Sequence, residues 1–260
     1  KEDPVHFETF LNVAKLIDHV FTTDIDCISR YKASLGHNNV HFLPFACQPA
    51  VHNPIEKYVR KNAFCFAGAY YVRYPERTRD LETFVSELPA HADFEIYDRN
   101  FGKDNPDYMF PDDYKKYIVG TLSFSEIDRA YKGYKYAINL NSIKHSQTMF
   151  ARRVYELLAS NTITVSNYSR GVRLMFGDLV VTTDSGQQAV HKLQVIDRDD
   201  ATARRFRLLG LRKVLTQHTY EHRFEYIKSK AFTQPMKSLD PVVSVISVAN
   251  TGEDVVAIKE

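Results

Sequence analysis

The sequence is poor in cysteine. Its three cysteines among 260 residues, Cys27, Cys47 and Cys65, are odd in number and lack CxxC spacing. They argue against a disulfide framework or a zinc site and suit a reducing, cytoplasmic location, with each thiol expected to be a small buried hydrophobe. No apolar run reaches membrane-spanning length, and no stretch reads as a signal peptide. Missing too are the GxSxG, Walker A and GxGxxG patterns, which removes support from the commonest hydrolase, P-loop and dehydrogenase readings. Charge of one sign is also lacking: 34 basic and 32 acidic residues give a formal net charge of +2. Because they are interspersed, neither a nucleic-acid footprint nor an acidic-partner surface is indicated. The chain starts at Lys1 rather than Met, so a fragment of something longer is expected.

What is present is ordinary globular composition, 44% hydrophobic and 25% charged, enough for one large domain or two smaller ones. The most informative stretch is 136–166, YAINLNSIKHSQTMFARRVYELLASNTITVS. It reads as a strand over 136–140, a helix over 146–160 and a strand over 162–166, with Asn161 at the left-handed C′ position. In open α/β sheets the loop and helix start of such a unit bind phosphorylated ligands.

Before it, the spacing predicts a helix over 7–20, a short strand VFT, a helix over 24–35 ended by Gly36, and a strand over 39–46 with Pro44 at its exit. These few elements are the tail of a doubly wound domain rather than a whole one. Residues 48–61, with Pro49, Asn53 and Pro54, read as an interdomain crossing. The pattern then restarts: strand 63–67 broken by Gly68, helix 75–88 with Pro75 at its first position, strand 92–97, a polar loop over 98–113, a short strand within 117–122 and a helix capped by Ser125 and running through Tyr131. After residue 166 come a sixth strand over 179–182 and helices over 186–196, 200–216 and 218–230.

Six strands alternating with helices predict an α/β fold, a Rossmann-like doubly wound parallel sheet of order 3-2-1-4-5-6, preceded by part of a second Rossmann-like domain. That order opens a crevice between the loops after the first and fourth strands. Gly68, Tyr70, Arg73 and Arg77 would face it from one side, and Asn141, Ser146, Thr148, Arg152, Arg153 and Glu156 from the other. A diphosphate needs donors and positive charge, which a helix start and Arg73 or Arg77 supply. Gly68 would allow close backbone approach. Glu156, two to three turns into the expected helix, can accept from ribose hydroxyls, or else pair with Arg152 at i and i+4 on the surface. Arg77 can equally be a solvated helix arginine. His218 and His222 have the spacing of a helical metal pair but no third ligand, so a structural helix face is the expectation and no metal is assigned.

The segments FCFAGAYYVRYPER, INLNSIKHSQTMFARRVYELLAS and VLTQHTYEHR together resemble the CgeB-like glycosyltransferases of the group 1, nucleotide-sugar-dependent type, over roughly residues 1–230. The resemblance implies a GT-B architecture, two Rossmann-like domains with the sugar donor held mainly by the second. It implies residues 1–54 as the tail of the acceptor-side domain and its hinge, and 55–230 as the donor domain. It further implies Glu156 at the donor ribose, Gly68 after the first donor-domain strand, and Arg152 or Arg153 as the basic pair before the glutamate. Where the wider group has a second Glu eight residues before Glu156, this chain has Thr148. The implied substrate is a nucleotide-diphosphate sugar, with no further cofactor and no metal, and the acceptor a glycan or protein, as in cell-surface polysaccharide assembly. The base would come from the acceptor side, where Asp3 and His6 are the candidates. Residues 231–260 begin linker-like, and VVSVISVANTGEDVVAIKE resembles the first strand and turn of a family 2, GT-A type domain. A non-catalytic nucleotide- or sugar-binding module and a nucleotide-sugar epimerase remain as alternatives.

Overall fold

The computed structural model describes residues 4–239, with side chains from Phe7 onward. Asp3, the side chain of His6 and the whole of 242–260 lie outside the described residues.

Two parallel sheets with flanking helices form the chain. The first is small: helix α1 (Pro4–Ala14), strand β1 (Val20–Thr22), helix α2 (Ile28–Leu35) and strand β2 (Val40–Phe42), with β1 and β2 paired in parallel. Helix α1 is shorter than the 7–20 expected from spacing. Its bonding tightens from Lys15 N–Leu11 O to Leu16 N–Val13 O and Ile17 N–Ala14 O, a last turn that stops the α-helix. Asp24 accepts from Asp26 N to cap a 3-10 turn ahead of α2, and Gly36, at φ 74°, closes α2 in the left-handed region. Strand β2 ends at Phe42 rather than running to residue 46.

The second sheet has six strands: β3 (Lys61–Gly68), β4 (Asp93–Asp98), β5 (Ile118–Gly120), β6 (Tyr134–Asn139), β7 (Ile163–Ser166) and β8 (Val181–Thr182). Their spatial order is β5-β4-β3-β6-β7-β8, all pairs parallel, which is the expected 3-2-1-4-5-6. Helices α3 (Pro75–Glu87), α4 (Asp128–Lys132), α5 (Arg153–Ala159), α6 (Arg170–Phe176), α7 (Gly186–Ile196), α8 (Asp200–Gln217) and α9 (Tyr220–Ala231) complete it. Strands β3 and β6 are buried along most of their length, so they read as continuous apolar runs. One core layer gathers Phe64, Phe66, Leu81, Phe84, Ile138 and Val165; the layer on α5 and α6 gathers Phe150, Tyr155, Leu158, Val172 and Phe176.

Two further expectations need correction, and one helix was not expected. The helix expected over 146–160 begins only at Arg153, because Ser146, Gln147 and Thr148 spend their polar groups on residues 23–26 instead of on a helical turn. The turn before α4 is capped by Ser123, not Ser125: Ser123 and Glu126 form a reciprocal capping box. Helix α6, seven residues between the Ser169 cap and Gly177 at φ 56°, has no counterpart in the sequence reading. Asn161 does adopt φ 57° after α5.

Candidate functional site

Pairing of β3 with β6 brings Gly68 beside the start of the loop that leads to α5. Over the carboxyl ends of these strands lies a cavity of about 820 Å³, contiguous with a second of about 420 Å³; both are lined by Gly68, Arg99, Tyr131, Arg152, Arg153 and Glu156. The larger one is walled by His52 and Lys57 of the crossing segment and, at its apolar end, by Leu122, Phe124 and Ile127.

Glu156 is in the first turn of α5 rather than two or three turns in. Its Oε2 accepts from the Tyr131 hydroxyl at 2.8 Å and its Oε1 from Arg152 Nε at 2.7 Å. The i, i+4 pair with Arg152 therefore forms, but Glu156 is only 7% exposed while Arg152 is 51% exposed, so the pair sits at the cavity wall and not on an open helix face. The charge of Glu156 raises the Arg152 pKa. His52 Nε2 is 4.0 Å from Glu156 Oε1. His52 Nδ1 accepts from Gln48 N at 3.1 Å, which leaves the proton of the neutral ring on the nitrogen facing Glu156. Burial lowers the His52 pKa and so favours that neutral ring. Arg153 has a buried Nε without a hydrogen-bond partner on the cavity wall.

Of the residues expected on the β3 side, Gly68 lines both cavities. Its close neighbour is the buried ring of Phe66: a Cβ at position 68 would meet that ring at 2.7 Å. Any side chain at this position would have to displace the buried Phe66 ring, so core packing favours glycine. Arg77 lines the smaller cavity, donates to Ala69 O at 3.1 Å and stacks 4.6 Å above the Tyr71 ring; burial lowers its pKa to about 10. It is no solvated helix arginine. Tyr70 turns into the core against Phe110 and Tyr114, and Arg73 is exposed over Tyr74, so neither reaches these cavities.

On the β6 side three more expected residues serve the scaffold. Asn141 donates to Ser166 Oγ at 3.0 Å and accepts from Ala151 N at 2.9 Å, while Asn167 bonds its backbone on both sides. Ser146 donates to Asp24 Oδ1 at 2.9 Å. Thr148 donates to Thr23 O at 2.9 Å and accepts from Ile25 N at 3.0 Å. These two side chains dock the β6–α5 segment onto the first sheet's unit. Deeper, Lys144 is buried against Asp80, with Asp184 and Glu76 alongside. Burial opposes its charge, but hydrogen bonds to Asp80 and Asp184 outweigh this and raise its pKa.

Sequence reasoning missed Arg99, His52 and Tyr131. Arg99 N donates to Gly68 O at 2.8 Å, so the residue just past β4 stands beside the glycine; counting only the loops after the first and fourth strands overlooks it. His52 and Tyr131 sit on a crossing segment and a five-residue helix, where periodicity carries no signal. His218 and His222 have structural partners: His222 completes a capping box with Thr219, and His218 accepts from Arg223 Nη2 at 2.7 Å. Among the described residues no group of three His, Cys, Asp or Glu side chains could hold a metal ion, and no helix is long and apolar enough to cross a membrane. Cys47 and Cys65 are buried free thiols, and burial pushes the Cys47 pKa up to about 12; Cys27 is partly exposed.

Comparison with known proteins matches residues 77–229 to the family profile described as glycosyl transferase-like. A search of curated protein sequences gives no match. Among solved structures, S. aureus TarM in complex with fondaparinux, alpha-GlcNAc-glycerol and UDP superposes with a TM-score of 0.59 at 11% identity, covering 86% of this chain and 45% of TarM. Sucrose-phosphate synthase from Thermosynechococcus elongatus gives 0.57 at 14% identity, covering 87% of this chain and 62% of its own. A UDP-forming trehalose-phosphate synthase from Burkholderia vietnamiensis gives 0.58 at 11% identity, covering 88% and 65%. The chain therefore shares their GT-B-like doubly wound fold and spans less than two thirds of each of these structures.

Proposed function

Since the chain belongs to the glycosyl transferase-like family, we propose that its crevice binds the nucleoside diphosphate of a sugar donor and that the parent protein transfers the sugar to a glycan or protein. One observation carries this reading. A nearly buried glutamate, Glu156, and three arginines, Arg99, Arg152 and Arg153, line one cavity that ends in the apolar patch of Leu122, Phe124 and Ile127. A nucleotide sugar has the matching sequence of parts: an apolar base face, ribose hydroxyls that donate to a carboxylate, and a diphosphate that takes guanidinium donors. At transfer the bond from the anomeric carbon to the diphosphate oxygen breaks and negative charge grows on the leaving group, where fixed arginines stabilise it. Because α5 is two turns long, the guanidinium groups, more than a helix dipole, supply that charge.

In this reading residues 1–54 are the tail of the acceptor-side domain and its hinge, and 55–230 the donor domain. The closer assignment is the CgeB-like branch, acting in the cytoplasm on cell-surface polysaccharide precursors, with the base supplied by the acceptor side. UDP is the first nucleotide to test, given the UDP named for two of the similar structures. A thermal-shift panel of UDP, ADP, GDP and their sugar conjugates should show one nucleotide raising the melting temperature increasingly as its concentration exceeds Kd. No shift from any of them sinks the reading.

A second reading, a non-catalytic nucleotide- or sugar-binding module, is favoured by Thr148. This residue stands where the wider group has an acid and is bonded instead to Thr23 and Ile25. Release of free nucleoside diphosphate from a sugar donor by the full-length parent separates the two, since a module binds without turnover.

A further inference from the structure

Glu156 holds its two hydrogen-bond partners very differently. The Tyr131 hydroxyl bonds Oε2 inside the protein, whereas Arg152 bonds Oε1 from the rim with a half-exposed side chain. Tyr131 itself cannot drift. Its carbonyl receives Thr162 Oγ1 at 2.5 Å at the chain's exit from α5, its amide N–H donates to Ile127 O, and its ring is tilted against His52 at 6.0 Å. A carboxylate only accepts, and the buried phenol stays protonated, its pKa pushed up to about 12 by burial. The direction of the bond is therefore fixed, with the tyrosine as donor. A ligand entering the cavity competes with the half-exposed Arg152, and with the nearby His52 Nε2, for Oε1, whereas Oε2 is already taken by the Tyr131 hydroxyl.

We propose that Tyr131 is a positioning residue for the nucleotide site: by holding Glu156 through Oε2 it presents Oε1 to the ribose, and so sets the preference for a nucleotide carrying ribose hydroxyls. The proposal rests on the donor-site reading above. Arg152, which donates to Oε1, would leave it to the ribose and turn towards the diphosphate. Without the phenol, Oε2 is a buried acceptor lacking its donor, and the carboxylate swings towards Arg152 and away from the ribose position.

The test compares UDP, ADP and GDP with their 2′,3′-dideoxy forms by calorimetry on the wild-type chain, Tyr131→Phe and Glu156→Ala. Wild type should bind the preferred nucleoside diphosphate about tenfold or more tightly over its dideoxy form, as expected for a charge-assisted hydrogen bond. Tyr131→Phe should bring that ratio close to one while the affinity for the dideoxy form stays as in wild type. A merely structural tyrosine would lower the melting temperature and weaken both ligands together, leaving the ratio intact. Should Tyr131→Phe yield no folded protein, Thr162→Val, which removes the anchor on the Tyr131 carbonyl, must also lower the ratio. If Glu156→Ala collapses the ratio and the Tyr131 or Thr162 variant retains it, the Tyr131 proposal is wrong and the donor-site reading stands. If no diphosphate binds wild type, or Glu156→Ala keeps the ratio, both fall.

Discussion

Arg60 Nη1 donates to the carbonyl of Asn161 at 2.7 Å, and its Nη2 reaches Ser160 O at 2.9 Å. An arginine of the crossing segment thus caps the carboxyl end of α5, the helix whose first turn carries Glu156. Arg60→Ala takes the Arg60 donor from the Asn161 carbonyl and leaves the Ser160 carbonyl with only the longer bond from Thr162 Oγ1. It should cost about 1–3 kcal/mol in urea denaturation and weaken nucleotide binding in step with any displacement of α5.

Lys144 is the buried hub of the β6–α5 segment, within 3.0 Å of Asp80 Oδ1. Lys144→Ala leaves the buried Asp80 carboxylate without its counter-charge, with Asn167 Nδ2 still bonding it, and should destabilise by about 3–5 kcal/mol. The exposed Lys115–Asp112 pair offers the control: Lys115→Ala should change stability by less than about 1 kcal/mol. Equal losses for the two variants would contradict the picture of a buried hub.

Removal of the Glu156 carboxylate should abolish or strongly weaken binding of the preferred nucleoside diphosphate, with little effect on the free phosphate group. Glu156→Ala measured by calorimetry against the diphosphate and against inorganic pyrophosphate checks this: the first loses affinity and the second keeps it. Unchanged affinity for the nucleotide would falsify the role given to Glu156.

His218 packs edge-on against Tyr155 at 5.3 Å and Phe176 at 5.8 Å. Burial, and next the positive charge of Arg223, pull its pKa from 6.5 down to about 3. The unfolded chain takes up a proton below about pH 6.5, whereas the folded protein refuses it until about pH 3. Its contribution to stability is therefore complete above pH 6.5 and is lost as pH falls through that window, at up to about 1.4 kcal/mol per pH unit. Urea denaturation between pH 6 and pH 4 should give a shallower dependence for His218→Phe than for wild type, whatever the offset between them.

The topology was legible because apolar strands such as 63–67 and 136–140 alternate with helices whose starts and stops carry chemical marks, Pro75 at one end and Asn161 at another. The cavity lining was legible where the sheet order alone dictated it: Gly68, Arg77, Arg152, Arg153 and Glu156 do line the cavities over β3 and β6. It was illegible wherever a polar residue had a choice of partner. Asn141, Ser146 and Thr148 look like ligand donors in a polar loop, yet each is saturated by protein groups from Ser166, Asp24 or Thr23. Periodicity cannot foresee bonds across about 120 residues of sequence, and for the same reason it extended α5 back to residue 146. Tyr70 was misplaced by one residue in the loop after β3, since its neighbour Tyr71 is the one on the cavity wall.

The β6–α5 segment is fastened on two sides, to Asp24 and Asp26 of the first unit and to Asp80 through Lys144. The same seam continues at Cys47, bridged to Thr219, and at Arg223, which donates to the carbonyls of Pro44 and Phe45. For recombination between relatives, the useful crossover is thus not the proline-containing stretch around residue 54. A chimaera joined there inherits a foreign partner for Ser146, Thr148 and Arg223 at once, whereas one joined upstream of Val20 carries its own matched seam with it.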